Sequence, residues 1–142
     1  MKSAISGFAL AIVLAFSPSG EANAQAGLLT GGAIKLDPLT LSCCAPLAQG
    51  PYDLESGKYY SLDINADGSA ELALSGPEFF RNVWVDEVVI NEIEVRPLGV
   101  DSLEFDDAGT ATISFVTIRP GTFVLRIPGT TGETQQAIFN VK

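Results

Sequence analysis

Apolar and polar residues alternate along much of the chain, and the alternation is clearest between residues 108 and 127. In the first half of this stretch, every second residue is apolar: Ala111, Ile113 and Phe115. The alternation resumes after Pro120-Gly121 with Phe123, Leu125 and Ile127. Period-two alternation of β-branched and aromatic residues is typical of half-buried strands, and a Pro-Gly pair is typical of a turn. The pattern predicts a β-hairpin, whose apolar face needs a second sheet to cover it.

Seven further segments carry strand patterns: residues 34–41, 60–64, 70–74, 83–90, 93–96, 103–105 and 137–141. Pro38 places the first at a sheet edge, because proline cannot donate to a central ladder. Asp86-Glu87 predicts a bulge that exposes both side chains. Residues 46–57 are predicted as a loop, and residues 78–81 as one helical turn over the core. The total of about eight or nine short strands predicts a single all-β sandwich domain, with Phe115, Phe123, Leu125 and Phe139 in its core.

The first 24 residues have the layout of a secretory signal peptide. Lys2 supplies a positive charge, residues 4–16 are almost entirely apolar, and Ala22-Asn23-Ala24 is a small-x-small cleavage site. This apolar run is too short to cross a bilayer, for which about 20 residues are needed. The sequence therefore predicts a signal peptide over residues 1–24 and a single mature domain over residues 25–142. We expect a periplasmic or secreted protein with no membrane insertion after cleavage.

The chain is strongly acidic, with 17 Asp and Glu against 8 Lys and Arg and a formal net charge of −9. Such a charge repels nucleic acid and anionic membranes, so no nucleic-acid partner is expected. It fits simple solubility, and it also suits a basic partner or a metal cation. The sequence contains no histidine, and a serine or cysteine nucleophile usually needs an imidazole base. We therefore expect a protein that is not an enzyme.

The last third of the chain combines a strand that begins after Pro-Gly, a loop that contains glycine, and a closing strand that ends in valine. Its landmarks are Gly121-Thr122-Phe123, Pro128-Gly129, Gly132 and Phe139-Asn140-Val141. In order and spacing, about the last 40 residues resemble the C-terminal part of cupredoxins. The resemblance implies a cupredoxin-like Greek-key β-sandwich. It says little about chemistry, because one fold hosts many functions.

The same resemblance implies that the copper site of the family is absent. In cupredoxins, a Cys, a His and a Met of this region and an upstream His hold the metal. The corresponding positions fall on or near Ile127, near Thr130, and near Glu133 or Thr134. A blue-copper site needs two imidazoles and a thiolate, and the sequence has no histidine. No type 1 copper is therefore expected.

Cys43 and Cys44 are adjacent, and they are the only cysteines of the sequence. Adjacent cysteines form a disulfide only through a strained ring, yet two unpaired thiols are a liability in an oxidising compartment. Three chemical roles remain open: a vicinal disulfide, an intermolecular disulfide, or a thiolate site for Cu(I), which prefers soft sulfur ligands. A fourth interpretation is a buried pair of small apolar side chains at the end of a strand.

Two functional classes follow from these features. The first is an exported cupredoxin-like binding module that has no cofactor and contacts a protein partner in the periplasm. The alternative is a copper-handling, chaperone-like protein that holds Cu(I) with Cys43 and Cys44. The first class predicts no bound metal, and the second predicts Cu(I) uptake that depends on the two thiols.

Overall fold

The computed structural model describes Leu29 and residues 31–142, which form two β-sheets around one apolar core. The first sheet contains β1 (Ile34–Lys35), β2 (Leu39–Leu41), β4 (Tyr59–Ala66), β6 (Val83–Ile90), β7 (Ile93–Val95) and β9 (Gly109–Thr117). The second sheet contains β3 (Tyr52–Leu54), β5 (Leu72–Ser75), β8 (Ser102–Phe105), β10 (Gly121–Arg126) and β11 (Gln136–Val141). A short helix, α1 (Pro77–Arg81), and a 3₁₀ turn (Glu133–Gln135) complete these elements.

The predicted signal peptide over residues 1–24 lies outside the described residues, as does the predicted start of the mature domain at Gln25. Both stay predictions. Within the described residues, no helix is long and apolar enough to cross a membrane.

Most connections carry the chain from one sheet to the other. The strand order is β1-β4-β9-β6-β7 in the first sheet, where β2 also pairs with β4, and β3-β11-β10-β5-β8 in the second. Among the described residues, only the connections β1–β2, β6–β7 and β10–β11 stay within one sheet. This arrangement is the all-β Greek-key sandwich that the sequence predicts.

The predicted hairpin between residues 108 and 127 is wrong, although both of its strands exist. Strand β9 pairs with β4 and β6 in the first sheet, whereas β10 pairs with β5 and β11 in the second. Residues 118–120 are therefore a crossover between the sheets. Alternation shows which face of a strand is buried, but it does not show which strand lies beside it. The chain after β4 likewise crosses to the second sheet.

The two-residue hairpin of this fold joins β6 to β7 through Asn91 and Glu92. Ile90 and Ile93 are paired on either side of this loop, and the two loop residues have φ values of 49° and 66°. Positive φ at both central residues is the mark of a type I′ turn, whose twist matches that of the flanking strands. This turn sets the position of β7 at the outer edge of the first sheet.

The strands differ from the predicted ones at two places, and both are in the N-terminal part of the described residues. The predicted edge strand 34–41 is split around Pro38 into β1 and β2, and both segments lie parallel to β4 at the sheet edge. The predicted loop 46–57 contains β3, in which Tyr52 pairs with Phe139. Their rings are stacked with centroids 4.7 Å apart. A strand of three residues is too short to produce a periodicity signal.

Phe79 of helix α1 joins the two halves of the core. Its ring centroid lies 5.3 Å from that of Phe115 in the first sheet and 4.6 Å from that of Phe139 in the second. All three side chains are fully buried. Gly76 lets the helix approach β10 this closely, because a Cβ at this position would collide with the side chain of Leu125. The predicted helical turn over the core is thereby confirmed.

Three of the four predicted core residues are fully buried: Phe115, Leu125 and Phe139. Phe123 is only half-buried and packs against the margin of the core. It is paired with Phe139 between β10 and β11, so the predicted inward face is right. However, its ring folds back over Gly121, where a Cβ would lie 2.8 Å from it. Part of the Phe123 ring consequently stays in contact with solvent.

We expect Phe79→Ala to lower the free energy of unfolding by about 3–5 kcal/mol, because a buried ring is lost and a cavity remains. Phe123→Ala should cost clearly less, about 1–2 kcal/mol, because this ring is already partly in water. Urea unfolding followed by the fluorescence of Trp84, the only tryptophan, measures both values. Equal losses of unfolding free energy in the two variants would show that Phe79 stabilises the core no more than the half-buried Phe123 does.

Candidate functional site

The loop between β10 and β11 lies where the cupredoxin resemblance places the copper ligands. Ile127 is buried and has no donor atom in its side chain. Its carbonyl oxygen accepts hydrogen bonds from the hydroxyl of Thr130 at 2.6 Å and from the amide of Thr130 at 3.4 Å. Arg126 closes the loop by donating to the carbonyl oxygen of Thr130 and to the side chain of Gln136. Glu133 and Thr134 belong to the 3₁₀ turn.

This donor set does not fit a type 1 copper site, which needs imidazole nitrogen and thiolate sulfur. The loop offers a hydroxyl group, a carboxylate and backbone atoms instead. Within the described part of the chain, no group of three or more His, Cys, Asp or Glu side chains is arranged to hold a metal ion.

Cys43 and Cys44 lie in the bend that follows β2, and both side chains are exposed. The interpretation of the two cysteines as a buried apolar pair is therefore wrong. The amide of Cys43 donates to Oγ of Ser69 at 2.9 Å, and the amide of Cys44 donates to Oγ of Ser42 at 3.2 Å. These bonds attach the bend to the end of β2 and to the crossover between β4 and β5.

The two thiols are close enough to influence each other. A hydrogen bond with Cys43 raises the pKa of the Cys44 thiol above its ordinary value, and the negative charge of Asp67 adds to the rise. Hydrogen bonds from Ser42 and Ser69 lower the pKa of the Asp67 carboxyl, which therefore stays ionised. The Cys44 thiol is accordingly protonated at neutral pH. A metal that binds its sulfur must displace this proton.

The predicted bulge at Asp86-Glu87 is confirmed by a register shift between β6 and β9. The two carboxylates are not exposed as expected, since only 11% and 20% of their side-chain surfaces are accessible. Arg96 lies 2.8 Å from Asp86 and 3.2 Å from Glu87, and the hydroxyl of Tyr59 donates to Asp86 at 3.0 Å. These partners compensate both charges. The network holds the chain after β7 against the outer face of the first sheet.

A group of exposed apolar side chains lies at the end of the first sheet. We call it the edge patch, and it consists of Ile90, Ile93, Val95 and Leu98. Strands β7 and β8 are the last strands of their sheets, so each has one edge without a neighbouring strand among the described residues. Clefts of about 230 and 250 Å³ open beside these strands, and both are lined by Ile90 and Leu103.

Carboxylates surround the edge patch. Five exposed acidic side chains near it form no ion pair with another described residue: Glu92, Asp101, Glu104, Asp106 and Asp107. Glu94 is also exposed and lies 3.5 Å from Arg96. The guanidinium of Arg96 lies closer to Asp86, as described above. The rim of the edge patch therefore carries an excess of negative charge.

A larger cleft of about 410 Å³ lies between α1 and β10. It begins where β5 stops pairing with β10, after the single residue pair of Ser75 and Arg126. Its lining includes Pro77, Pro128 and the accessible part of Phe123. This space arises because helix α1, and not a longer β5, lies beside β10 here. None of the exposed large apolar side chains of the described residues lines it.

Comparison with known proteins identifies the fold. A multi-copper oxidase from Pseudomonas Thermotolerans is similar with a TM-score of 0.55 and 15% identity over 80% of this chain and 30% of its own. The copper nitrite reductase from Nitrosomonas europaea gives 0.53 and 14% over 67% of this chain and 33% of its own. The Blue Copper Oxidase from Nitrosomonas europaea gives 0.51 and 11% over 65% and 30%. No family model and no curated protein matches the sequence.

The chain is thus a cupredoxin-like β-sandwich, which confirms the resemblance found in its last third. It spans about a third of the length of the solved structures that it matches. At 11–15% identity this likeness concerns the fold alone.

We expect Cys43→Ala to lower the pKa of the Cys44 thiol, because Cys43 is the main cause of its rise. Asp67→Asn should lower this pKa by a smaller amount, and Glu133→Gln serves as a control without effect. The rate of alkylation by iodoacetamide as a function of pH, resolved by tandem mass spectrometry, reports the pKa of Cys44. An unchanged midpoint in Cys43→Ala would mean that the thiols do not interact in solution.

Proposed function

We propose that the protein is an exported interaction module, periplasmic or secreted, that uses a cupredoxin-like fold without type 1 copper. The observation that carries this proposal is the edge patch. Exposed apolar side chains that lie together and are rimmed by polar residues are typical of protein–protein contact surfaces. The exposed fraction of Ile93 is 65%, and Leu98 is fully exposed. Covering them with a partner removes apolar surface from water.

The proposal assigns no enzymatic activity to the chain. A sequence without histidine has no imidazole base to activate a serine or cysteine. The best-covered carboxylates, Asp86 and Glu87, are neutralised by Arg96. Proton-transfer catalysis uses a carboxyl group that reaches substrate, and this pair is engaged within the fold. Binding through a surface is the function that these residues support.

Export is part of the same proposal. It is supported by the apolar run and the Ala22-Asn23-Ala24 site of the sequence. In an oxidising compartment, the exposed pair Cys43 and Cys44 is accessible to oxidants and to metal ions. The redox state and metal binding of these two thiols are therefore relevant to a second candidate function, the handling of Cu(I).

To test the interaction, a photo-crosslinking amino acid replaces Ile93 in full-length protein expressed in its native host. We expect a defined covalent adduct above the monomer mass after irradiation, because the edge patch is covered by a partner. Ile118 is the matched control, since it is also an exposed isoleucine and lies in the crossover between β9 and β10. Equal adducts at both positions, or none at either, would argue against an interaction role of this surface.

A second candidate function is Cu(I) handling by Cys43 and Cys44. The observation in its favour is that both thiols are exposed and belong to adjacent residues. Two soft sulfur atoms at short range suit Cu(I), for which a low coordination number is sufficient. The raised pKa of Cys44 works against binding, because the proton must leave first.

Anaerobic titration of reduced protein with Cu(I) separates the two functions. The interaction module predicts equal, weak uptake by the parent protein and by the Cys43→Ser, Cys44→Ser variant. Stoichiometric uptake that disappears in the variant would instead favour copper handling. The absence of imidazole ligands predicts that neither protein develops a blue-copper absorption band.

A further inference from the structure

We propose that the edge patch binds an extended, basic segment of a partner protein, which lies along the free edge of β8. The segment alternates apolar residues with Lys or Arg. This inference rests on the proposed interaction function and names the chemistry of the partner. It follows from three properties of the same surface: its shape, its exposed apolar groups and its charge.

The shape of the surface favours a strand. Residues of β8 line both clefts, which share Ile90 and Leu103 and so run along this strand. β8 has four residues, which gives a length of about 13 Å at strand geometry. On one side it pairs with β5, and on the other it ends the second sheet. A free edge of this kind accepts an added strand through main-chain hydrogen bonds.

Apolar groups line the surface that the added strand would contact. Val100, Leu103 and Phe105 are only partly buried and pack against the core from this side. Ile90 lines both clefts, its pairing partner Ile93 is exposed, and the exposed Leu98 follows β7 in the chain. Alternate side chains of an added strand point to one face, so every second residue of the segment meets this apolar surface. The intervening residues point toward the rim.

The charge of the rim selects a basic segment. Asp101, Glu104, Asp106 and Asp107 line the clefts, and Glu92 lies in the β6–β7 turn next to Ile93. The whole chain carries a net charge of −9. A second copy of this chain would bring two acidic rims together, and like charges across an interface disfavour that pairing. Acidic residues at the edge thus oppose self-association while they attract Lys and Arg.

The test uses two short fluorescent peptides of equal length. One alternates valine with lysine, and its matched control alternates valine with glutamate. Fluorescence anisotropy with the full chain measures binding at low salt and at physiological salt. We expect the basic peptide to bind at least about tenfold more tightly than the acidic one, with an affinity that falls as salt rises.

Two variants locate the binding surface. Glu92→Lys with Glu104→Lys should weaken binding of the basic peptide by about tenfold, because two attractive charges become repulsive. Ile93→Ser with Leu98→Ser should weaken it by a similar factor, because less apolar surface is removed from water. These residues are exposed, so the variants should fold, which far-ultraviolet circular dichroism checks. Glu133→Lys and Ile118→Ser are matched controls and should leave the affinity unchanged.

Some outcomes would overturn the inference. Equal binding of both peptides excludes the charge selection. An equal loss in Glu133→Lys shows attraction to the acidic protein as a whole and not to this rim. If the basic peptide does not bind while crosslinking at Ile93 persists, the partner chemistry is wrong but the interaction function stands. If both fail, the proposed function itself is rejected.

Discussion

The rest of the fold depends on the contacts that Phe79 makes with both sheets. Its ring contacts Phe115 on one side and Phe139 on the other. Helix α1 reaches this depth because Gly76 has no side chain to collide with Leu125. The helix thereby packs beside β10 where β5 has stopped pairing. Nothing equivalent among the described residues covers the ends of the sheets at β7 and β8, where the edge patch lies.

The sequence predicted the fold class well because fold class follows from which residues are buried. Strand alternation, Pro38 at an edge and the helical turn around Phe79 all agree with the structure. Strand pairing was harder to predict, because β9 and β10 have inward faces that cover the same core from opposite sheets. A single sequence carries no signal that distinguishes this crossover from a hairpin. The alternation also did not show the partial exposure of Phe123, because it does not reveal that the ring folds back over Gly121.

The candidate interaction surface could not be found from the pattern alone. Ile93 and Val95 alternate with charged residues as in any half-buried strand. They are exposed because β7 ends its sheet, and strand order is a property of the whole fold. The expectation of no type 1 copper needed only the sequence, because a chain without histidine has no imidazole ligand to offer. The exposure of Cys43 and Cys44, by contrast, depends on the bend after β2.

We propose that this fold acts through the free edges of its sheets and not through the loop where cupredoxins hold copper. Amide hydrogen exchange, followed by mass spectrometry with and without saturating basic peptide, tests it most directly. We expect added protection in β8, from Ser102 to Phe105, and no change in residues 127–135. Protection confined to residues 127–135, with β8 unchanged, would show that the peptide binds at the loop and not at the sheet edge.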